Sequence, residues 1–217
     1  MNALREHGRV MLGIWTALLI GTLIALALGR WSMAFVSFST LALSLVPPVL
    51  ASRFELKLPM PFLLATTFFV FASIFLGEAL DFYERLWWWD LFLHGFSAVG
   101  FGLIGFLFVF MLFEGDRFAA PPSAVALITF CFAVTVGATW EIFEYGMDNI
   151  FGLNMQKSGL DDTMGDLMID AAGSLIASFI GYLYLKRDSG GPLGQSLSHF
   201  IALNRRLYQK SKNRLKR

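Results

Sequence analysis

Six stretches of this chain, each near 20 residues long, are almost free of charge. A run of that length spans the roughly 30 Å hydrocarbon core of a bilayer when wound into an α-helix. The runs fall at about 10–28, 31–52, 59–77, 91–113, 119–145 and 163–185. Hydrophobic residues make up 56% of the 217 and charged residues only 15%, with a mean hydropathy of +0.62. Soluble domains rarely tolerate that balance, whereas 23 Phe and 6 Trp suit lipid-facing surfaces and interfacial belts. The expected fold is all-α: a polytopic membrane bundle of six transmembrane helices over 1–187, followed by a basic amphipathic C-terminal tail over 188–217. No internal repeat and no soluble domain stands out.

Local signals refine the spans. Arg5 and Arg9 precede the first run, as in a signal peptide. Its apolar length exceeds a usual signal core and Gly29-Arg30-Trp31 is a poor cleavage site, so a retained helix is expected. Ala17, Gly21, Ala25 and Gly29 form a small-residue stripe at spacing four. Such a stripe suits close helix packing within the chain, with a homo-oligomer as the alternative. Pro47-Pro48 should kink or end the last turns of the second run, and Pro59 and Pro61 sit at a natural helix start. Trp87-Trp88-Trp89 read as an interfacial anchor ahead of the fourth run. Cys131, the single cysteine, lies mid-span as a small apolar residue and excludes an internal disulfide.

Net charge is only +1, but that sum hides a division. Placing the N-terminal segment, the 53–57 and 114–117 connections and the tail on one side gives that side fourteen of the 17 Lys and Arg. The other side has only Arg30, Arg85 and Lys157, and it carries eleven of the 16 Asp and Glu. By the positive-inside rule both termini are cytoplasmic. After the Gly190-Gly191-Pro192 break, Leu193, Leu197, Phe200, Ile201, Leu207 and Tyr208 recur at helical spacing among Arg and Lys. That fits an amphipathic helix drawn to anionic lipid on the inner surface, with a disordered basic end as the alternative for the last eight residues. The tail offers no folded reading surface, so membrane lipids and a membrane-complex partner are expected and nucleic acid is not.

The acidic side concentrates its ionisable groups at three helix ends. Asp90 and His94 open the fourth span at spacing i, i+4, which points both the same way. Glu141 and Glu144 share one face near the end of the fifth. Asp162, Asp166 and Asp170 begin the sixth at spacing four, and Ser174 and Ser178 continue the stripe. An Asp at the centre of a membrane helix costs roughly 2.5–3.5 kcal/mol on insertion scales, so such groups face the bundle or a wet cavity. Several carboxylates in one pocket repel each other, and a divalent cation removes the repulsion. Carboxylates with one imidazole suit Mg²⁺, Mn²⁺ or Zn²⁺. The expected metal-ligating residues are His94, Glu141, Glu144, Asp162, Asp166 and Asp170, and the expected catalytic residues are Asp90, His94, Glu141 and Asp166. Glu78, Asp81 and Glu84 read instead as a solvated loop, and Asp148 and Asp161 as wet residues beyond the spans. The opposite halves of these helices are apolar, so no ionisable ladder crosses the membrane and the site should open to one side only.

Asp90-x3-His94, Trp140-Glu141-x2-Glu144 and Asp162-Thr163-x2-Asp166-x3-Asp170-x2-Gly173 together resemble the YjdF-type family of small bacterial inner-membrane proteins, itself distantly similar to the VanZ-like group. The resemblance covers about 59–187. It implies a polytopic protein of the bacterial inner membrane, in a family without an assigned biochemical role, and it makes the motif acids and His94 the candidate site.

Three functions compete. The first is a divalent-metal-dependent hydrolase or transferase acting on a lipid or envelope substrate, in which the ion polarises a substrate oxygen and activates water. There Asp90 would orient His94, and Arg85 or Lys157 would meet an anionic headgroup. The second is an ion or small-solute transporter, which the apolar helix halves disfavour. The third is a non-catalytic membrane factor whose buried acids hold helices together. No His-Glu-x-x-His, Gly-x-Ser-x-Gly or P-loop pattern is present.

Overall fold

The structure, a computed structural model, describes residues 2–113, 120–187, 195 and 198–204. All regular structure among them is helical. In order come α1 (Asn2–Ala27), α2 (Trp31–Arg53), α3 (Met60–Val70), which continues as a π-helical stretch (Phe71–Ala79), the one-turn α4 (Phe82–Arg85), α5 (Trp89–Phe113), α6 (Pro122–Phe151) and α7 (Leu160–Arg187). Six segments are long and apolar enough to cross a membrane: Gly8–Ala27, Trp31–Arg53, Met60–Ala79, Trp89–Phe110, Pro122–Phe151 and Leu160–Lys186. The expected all-α, six-span architecture is therefore present. Most of the expected tail over 188–217 lies outside the described residues, although 198–204 is helical.

The chain divides into two compact units. The first comprises Met1–Trp89 and His199–Arg217. Here α1 buries Met11, Leu18, Thr22 and Ala25, a face that repeats at helical period as a packed helix requires. Of the small-residue stripe, Gly21 and Ala25 turn inward, Gly21 beside Ser37 of α2. Ala17 is exposed, and Gly29 forms the left-handed turn after α1, with φ 69°. The seam of α2 consists of Ala34, Ser37, Thr40, Ser44 and Ala51. Pro47-Pro48 does not end α2, which runs on to Arg53; membrane helices tolerate proline where neighbouring groups take up the freed backbone. Trp87 and Trp88 are exposed, as an interfacial anchor requires. Trp89 is buried instead, with its ring edge-on to Phe82 at 5.0 Å. Glu78, Asp81 and Glu84 are all exposed, and Asp81 pairs with Arg85 at 3.6 Å.

One polar contact ties the C-terminal segment into this unit. The buried Asn204 side chain accepts from Lys57 N at 2.8 Å and donates to Lys57 O at 3.0 Å and Phe200 O at 2.8 Å. A backbone donor and acceptor of the α2–α3 connection are thereby satisfied by a single amide, as buried backbone demands.

The second unit is Asp90–Ser198. Its helices α5, α6 and α7 pack through faces that grade from charged at one end to aromatic at the other. The aromatic end is built on Phe106, Val109 and Val125, with Phe110, Tyr184 and Leu185 against them.

Candidate functional site

The charged end of the second unit is assembled from three local signals. Helix α5 starts at Trp89, which puts Asp90 in its first turn and His94 one turn further along the same face. Helix α7 starts at Leu160, carries Asp161 and Asp162 in its first turn and returns an acid at Asp166 and Asp170. Helix α6 contributes Glu141 and Glu144 from its C-terminal half. Two helix N-termini, the positive ends of the macrodipoles, thus point where the carboxylates gather.

The His94 imidazole lies at the centre. Its Nε2 is 3.7 Å from Glu141 Oε1, 3.9 Å from Asp90 Oδ1 and 4.0 Å from Asp166 Oδ2. Its Nδ1 is hydrogen-bonded to Asp170 Oδ2 at 3.3 Å. His94, Glu141, Glu144, Asp166 and Asp170 are each 6% exposed or less, and Asp90 is the more open member of the ring. Asp90, His94 and Asp166 can each offer one donor atom, all within 4.8 Å of one another. Trp140 Nε1 donates to Glu144 Oε1 at 2.9 Å. No hydrogen bond reaches either oxygen of Glu141, Oε2 of Glu144 or Oδ2 of Asp166. The Thr163 hydroxyl comes close to Glu141 but outside hydrogen-bond geometry.

Glycines set the distances between the helices. A Cβ on Gly173 of α7 would stand 2.9 Å from Ala98 Cβ and 3.0 Å from Gly95 O of α5, too close for any real side chain. One and two turns further on, a Cβ on Gly102 would overlap Ala177, and one on Gly181 would overlap the Phe106 ring. This small-residue seam lets the α5 and α7 backbones approach closely, and it carries His94 onto Asp166 and Asp170. On α6, a Cβ at Gly137 would overlap the Asp170 carboxylate. Asp170 is therefore clasped between the α6 backbone and the imidazole.

The α6–α7 connection is fastened by two of the acids. Helix α6 runs to Phe151, beyond the expected end near 145, and stops where Gly152 turns left-handed at φ 67°. Asp148 falls inside α6, and its carboxylate accepts from Met155 N at 2.7 Å and Gln156 N at 2.8 Å. Asp162 accepts from Lys157 N at 3.1 Å, and Gln156 donates to the Thr163 hydroxyl at 2.6 Å. Asp148 is thus a loop brace rather than a free wet residue, a role that the sequence signals only as an acid followed by Gly152.

Of the residues singled out from sequence, Asp90, Glu141, Asp166 and Asp170 surround His94. Glu144 and Asp162 belong to the same helix ends but make their hydrogen bonds elsewhere, to Trp140 and the Lys157 backbone. The group hydrogen-bonded to the imidazole is Asp170, across the helix interface, and not Asp90 on the same helix. Arg85, in the other unit, is paired with Asp81. Sequence reasoning passed over Gly137, Gly95, Gly102 and Gly181, and took Gly173 only as part of a motif and not as part of a seam. The signal for the seam is a run of small residues at spacing three and four in both helices.

These features define a polytopic membrane protein with a buried ring of acids around one histidine. The chain belongs to the family described as Predicted membrane protein (DUF2238), whose model matches residues 8–187. A Thermotoga maritima protein, named only "Uncharacterized protein", is 34% identical over 113 residues, or 52% of this chain. The match spans 57% of that relative's length. No solved structure matches the chain.

Proposed function

We propose that the α5–α7 unit is a divalent-cation centre in a bacterial inner-membrane protein of YjdF type, used for metal-assisted hydrolysis or group transfer on a lipid or envelope substrate. The observation that carries this reading is the ring: four carboxylates within 4.0 Å of one imidazole, buried in apolar spans. Segments 89–113, 122–151 and 160–185 contain no Lys or Arg, and the charge of Lys157, in the α6–α7 connection, acts on Asp90 and Asp162.

Asp90, His94 Nε2 and Asp166 are the proposed ligands. Oxygen donors with one imidazole suit Mg²⁺, Mn²⁺ or Zn²⁺. Donors bound to one small cation stand about 3–4 Å apart at bond lengths near 2.1 Å, so the ring closes by roughly 1 Å to grip an ion. Asp170 fixes the imidazole through Nδ1, leaving Nε2 to the cation, as outer carboxylates do for metal-binding histidines. Glu141, with both oxygens free of hydrogen bonds, is placed to take a proton from water. Glu144 and Asp162 add negative potential at the rim. A cation bound there would stabilise negative charge developing on a phosphoryl or acyl oxygen. Three protein ligands leave coordination positions for substrate, the pattern of catalytic rather than structural metal sites.

The proposed orientation puts both termini in the cytoplasm and the acid ring on the opposite face, following the Lys and Arg distribution. Hydrogen bonding between Lys57 and Asn204 supports a common face for the α2–α3 connection and the C-terminal segment. The basic tail would then rest on anionic lipid. The apolar layer of Phe106, Val109 and Val125 weighs against a through-going transport path.

Purified full-length protein should carry about one equivalent of divalent metal or take it up on titration, with His94→Ala and Asp166→Asn losing it. Wild-type protein that is metal-free and binds no Mg²⁺, Mn²⁺ or Zn²⁺ at neutral pH would sink the proposal.

A further inference from the structure

The α6–α7 connection is held from both ends, at the end of the unit where the acids gather. Asp148 of α6 accepts from Met155 N and Gln156 N, Gln156 donates to Thr163 of α7, and Asp162 accepts from Lys157 N at 3.1 Å. Lys157 therefore starts from a fixed backbone position beside Asp162. The residue is exposed, and its positive charge acts on both Asp162 and Asp90. Asp90 is the more open member of the ring. Among the described residues of 90–198, the remaining Lys and Arg are Lys186 and Arg187, at the far end of α7. One ammonium is thus placed at the open side of the ring.

The same connection is apolar on its outside. Ile150, Phe151, Leu153 and Leu160 are all exposed. Leu160 also begins an exposed row on α7 that continues through Met164 and Met168 at spacing four. The lipid-facing surface of the span thus extends without a break to the connection, an exposed apolar surface that marks contact with a membrane. Depth agrees. At about 1.5 Å per residue, a hydrocarbon core of about 30 Å bounded by Lys186 ends roughly twenty residues earlier on α7, at the level of Asp166. The acid ring then lies at the edge of the hydrocarbon, and Lys157 lies in the headgroup layer beyond it, where lipid phosphates are.

We propose that the substrate taken by this centre is a membrane phospholipid, held by its phosphate between Lys157 and the cation on the Asp90 side of the ring, with its acyl chains along the row of Leu160, Met164 and Met168. The inference rests on the cation-centre reading and adds the substrate class to it. A lysine ammonium meets a phosphate as a point charge. The cation offsets the negative charge of the ring, which would otherwise repel a phosphate. A soluble phosphate would use the same two positive groups but gain nothing from the apolar row.

Mn²⁺ in the ring makes the test site-specific, because a paramagnetic ion broadens the phosphorus NMR line only of a phosphate that comes close to it. Full-length protein in dodecyl maltoside is loaded with Mn²⁺, freed of unbound ion and titrated with dihexanoyl phosphatidylglycerol or with inorganic phosphate. Wild type should broaden the lipid line, and inorganic phosphate should need at least about tenfold higher concentration for the same effect, since it buries no acyl chain. Lys157→Gln should keep its Mn²⁺ and need about tenfold more lipid, the loss expected for one charge-assisted contact. Lys157→Arg, and Lys186→Gln at the other end of α7, should follow wild type. Mn²⁺-loaded Lys157→Gln that broadens the lipid line as wild type does overturns this inference and leaves the cation centre standing. Inorganic phosphate as effective as the lipid overturns the lipid and assigns the site to a soluble phosphate. A wild type that takes up no Mn²⁺ removes the cation centre and this inference with it. Should Lys157→Gln lose its Mn²⁺, wild type decides against the uncharged methyl phosphotriester of the same lipid: a loss of broadening supports recognition of the charged phosphate, and equal broadening overturns it.

Discussion

Replacing Gly137 with alanine adds one methyl group, and the geometry says where its effect lands. The new Cβ would lie 2.7 Å from the Asp170 carboxyl carbon and 3.1 Å from Asp170 Cβ. Ordinary contact begins at 3.4 Å, so the carboxyl carbon must retreat by about 0.7 Å. The hydrogen bond from His94 Nδ1 is already 3.3 Å long and has little length to give. Gly137→Ala should therefore detach Asp170 from the imidazole without touching a proposed ligand. Losing the carboxylate that orients a metal-binding histidine typically costs about 10–100-fold in affinity. Titration calorimetry with Mn²⁺ or Zn²⁺ in nanodiscs would measure it. Asp170→Asn serves as the parallel variant, and Gly146→Ala, which meets nothing within 4 Å, as the neutral control on the same helix. Overpacking itself costs about 1–3 kcal/mol, so a folded, monodisperse sample is required before affinities are compared. If Gly137→Ala binds within twofold of wild type while Asp170→Asn does not, the clasp reasoning is wrong. If both bind normally, Asp170 does not orient His94.

Four further outcomes are expected. Glu141→Gln should keep the metal stoichiometry and lose turnover, since the amide cannot accept the proton; lost metal would make Glu141 a ligand instead. Cation affinity should fall as pH drops from 7.5 to 5.5, because protons compete for carboxylates and imidazole, and a flat titration series would contradict the ligand set. Asn204→Ala leaves Lys57 N–H and C=O without their side-chain partner, at about 1–3 kcal/mol of local stability, so limited proteolysis should cut the C-terminal segment faster; an unchanged digestion pattern counts against the latch. Gly102→Leu should drive α5 from Ala177 and lower the unfolding temperature, whereas Gly100→Leu, where a Cβ meets nothing within 4 Å, should not.

The spans were legible because composition over 20 residues reports directly on whether backbone and side chains can leave water. Their ends were less so. Hydropathy stops at Glu144 and Tyr145, yet α6 continues through Asp148 to Phe151, since a helix ends where its backbone is capped and not where its side chains turn polar. Clustering of the acids at one helix end was readable from i, i+3 and i, i+4 spacing. Which acid meets which nitrogen of His94 was not. Spacing on one helix favoured Asp90, but the 3.3 Å contact comes from Asp170 across an interface. That distance depends on how closely α5 and α7 approach, which Gly95, Gly102, Gly173 and Gly181 decide together. The sequence contains all four, but their pairing exists only after the helices have been aligned.

The detail of the oxygens favours the proposed cation centre over purely structural acids. Carboxylates that serve as interhelical fasteners are stabilised by the donors they meet, and a buried one without donors destabilises the fold. Asp148 and Asp162 behave as fasteners: each accepts backbone N–H groups of the α6–α7 connection. Glu141 and Asp166 do not, for although deeply buried they leave three oxygens without a donor between them. Two like charges 4 Å apart repel by about 4 kcal/mol at an effective dielectric near 20, and the ring holds four carboxylates around a single imidazole. Were all four ionised, one protonated histidine would answer a quarter of that charge; the rest must be met by protons or by a cation. A fold that needed only adhesion here would use serine or a tight glycine contact, as it does along the rest of the α5–α7 and α6–α7 seams. The spans bring no Lys or Arg to these four carboxylates, and Lys157 of the α6–α7 connection acts on Asp90 among them; the proposed divalent cation would supply the missing positive charge.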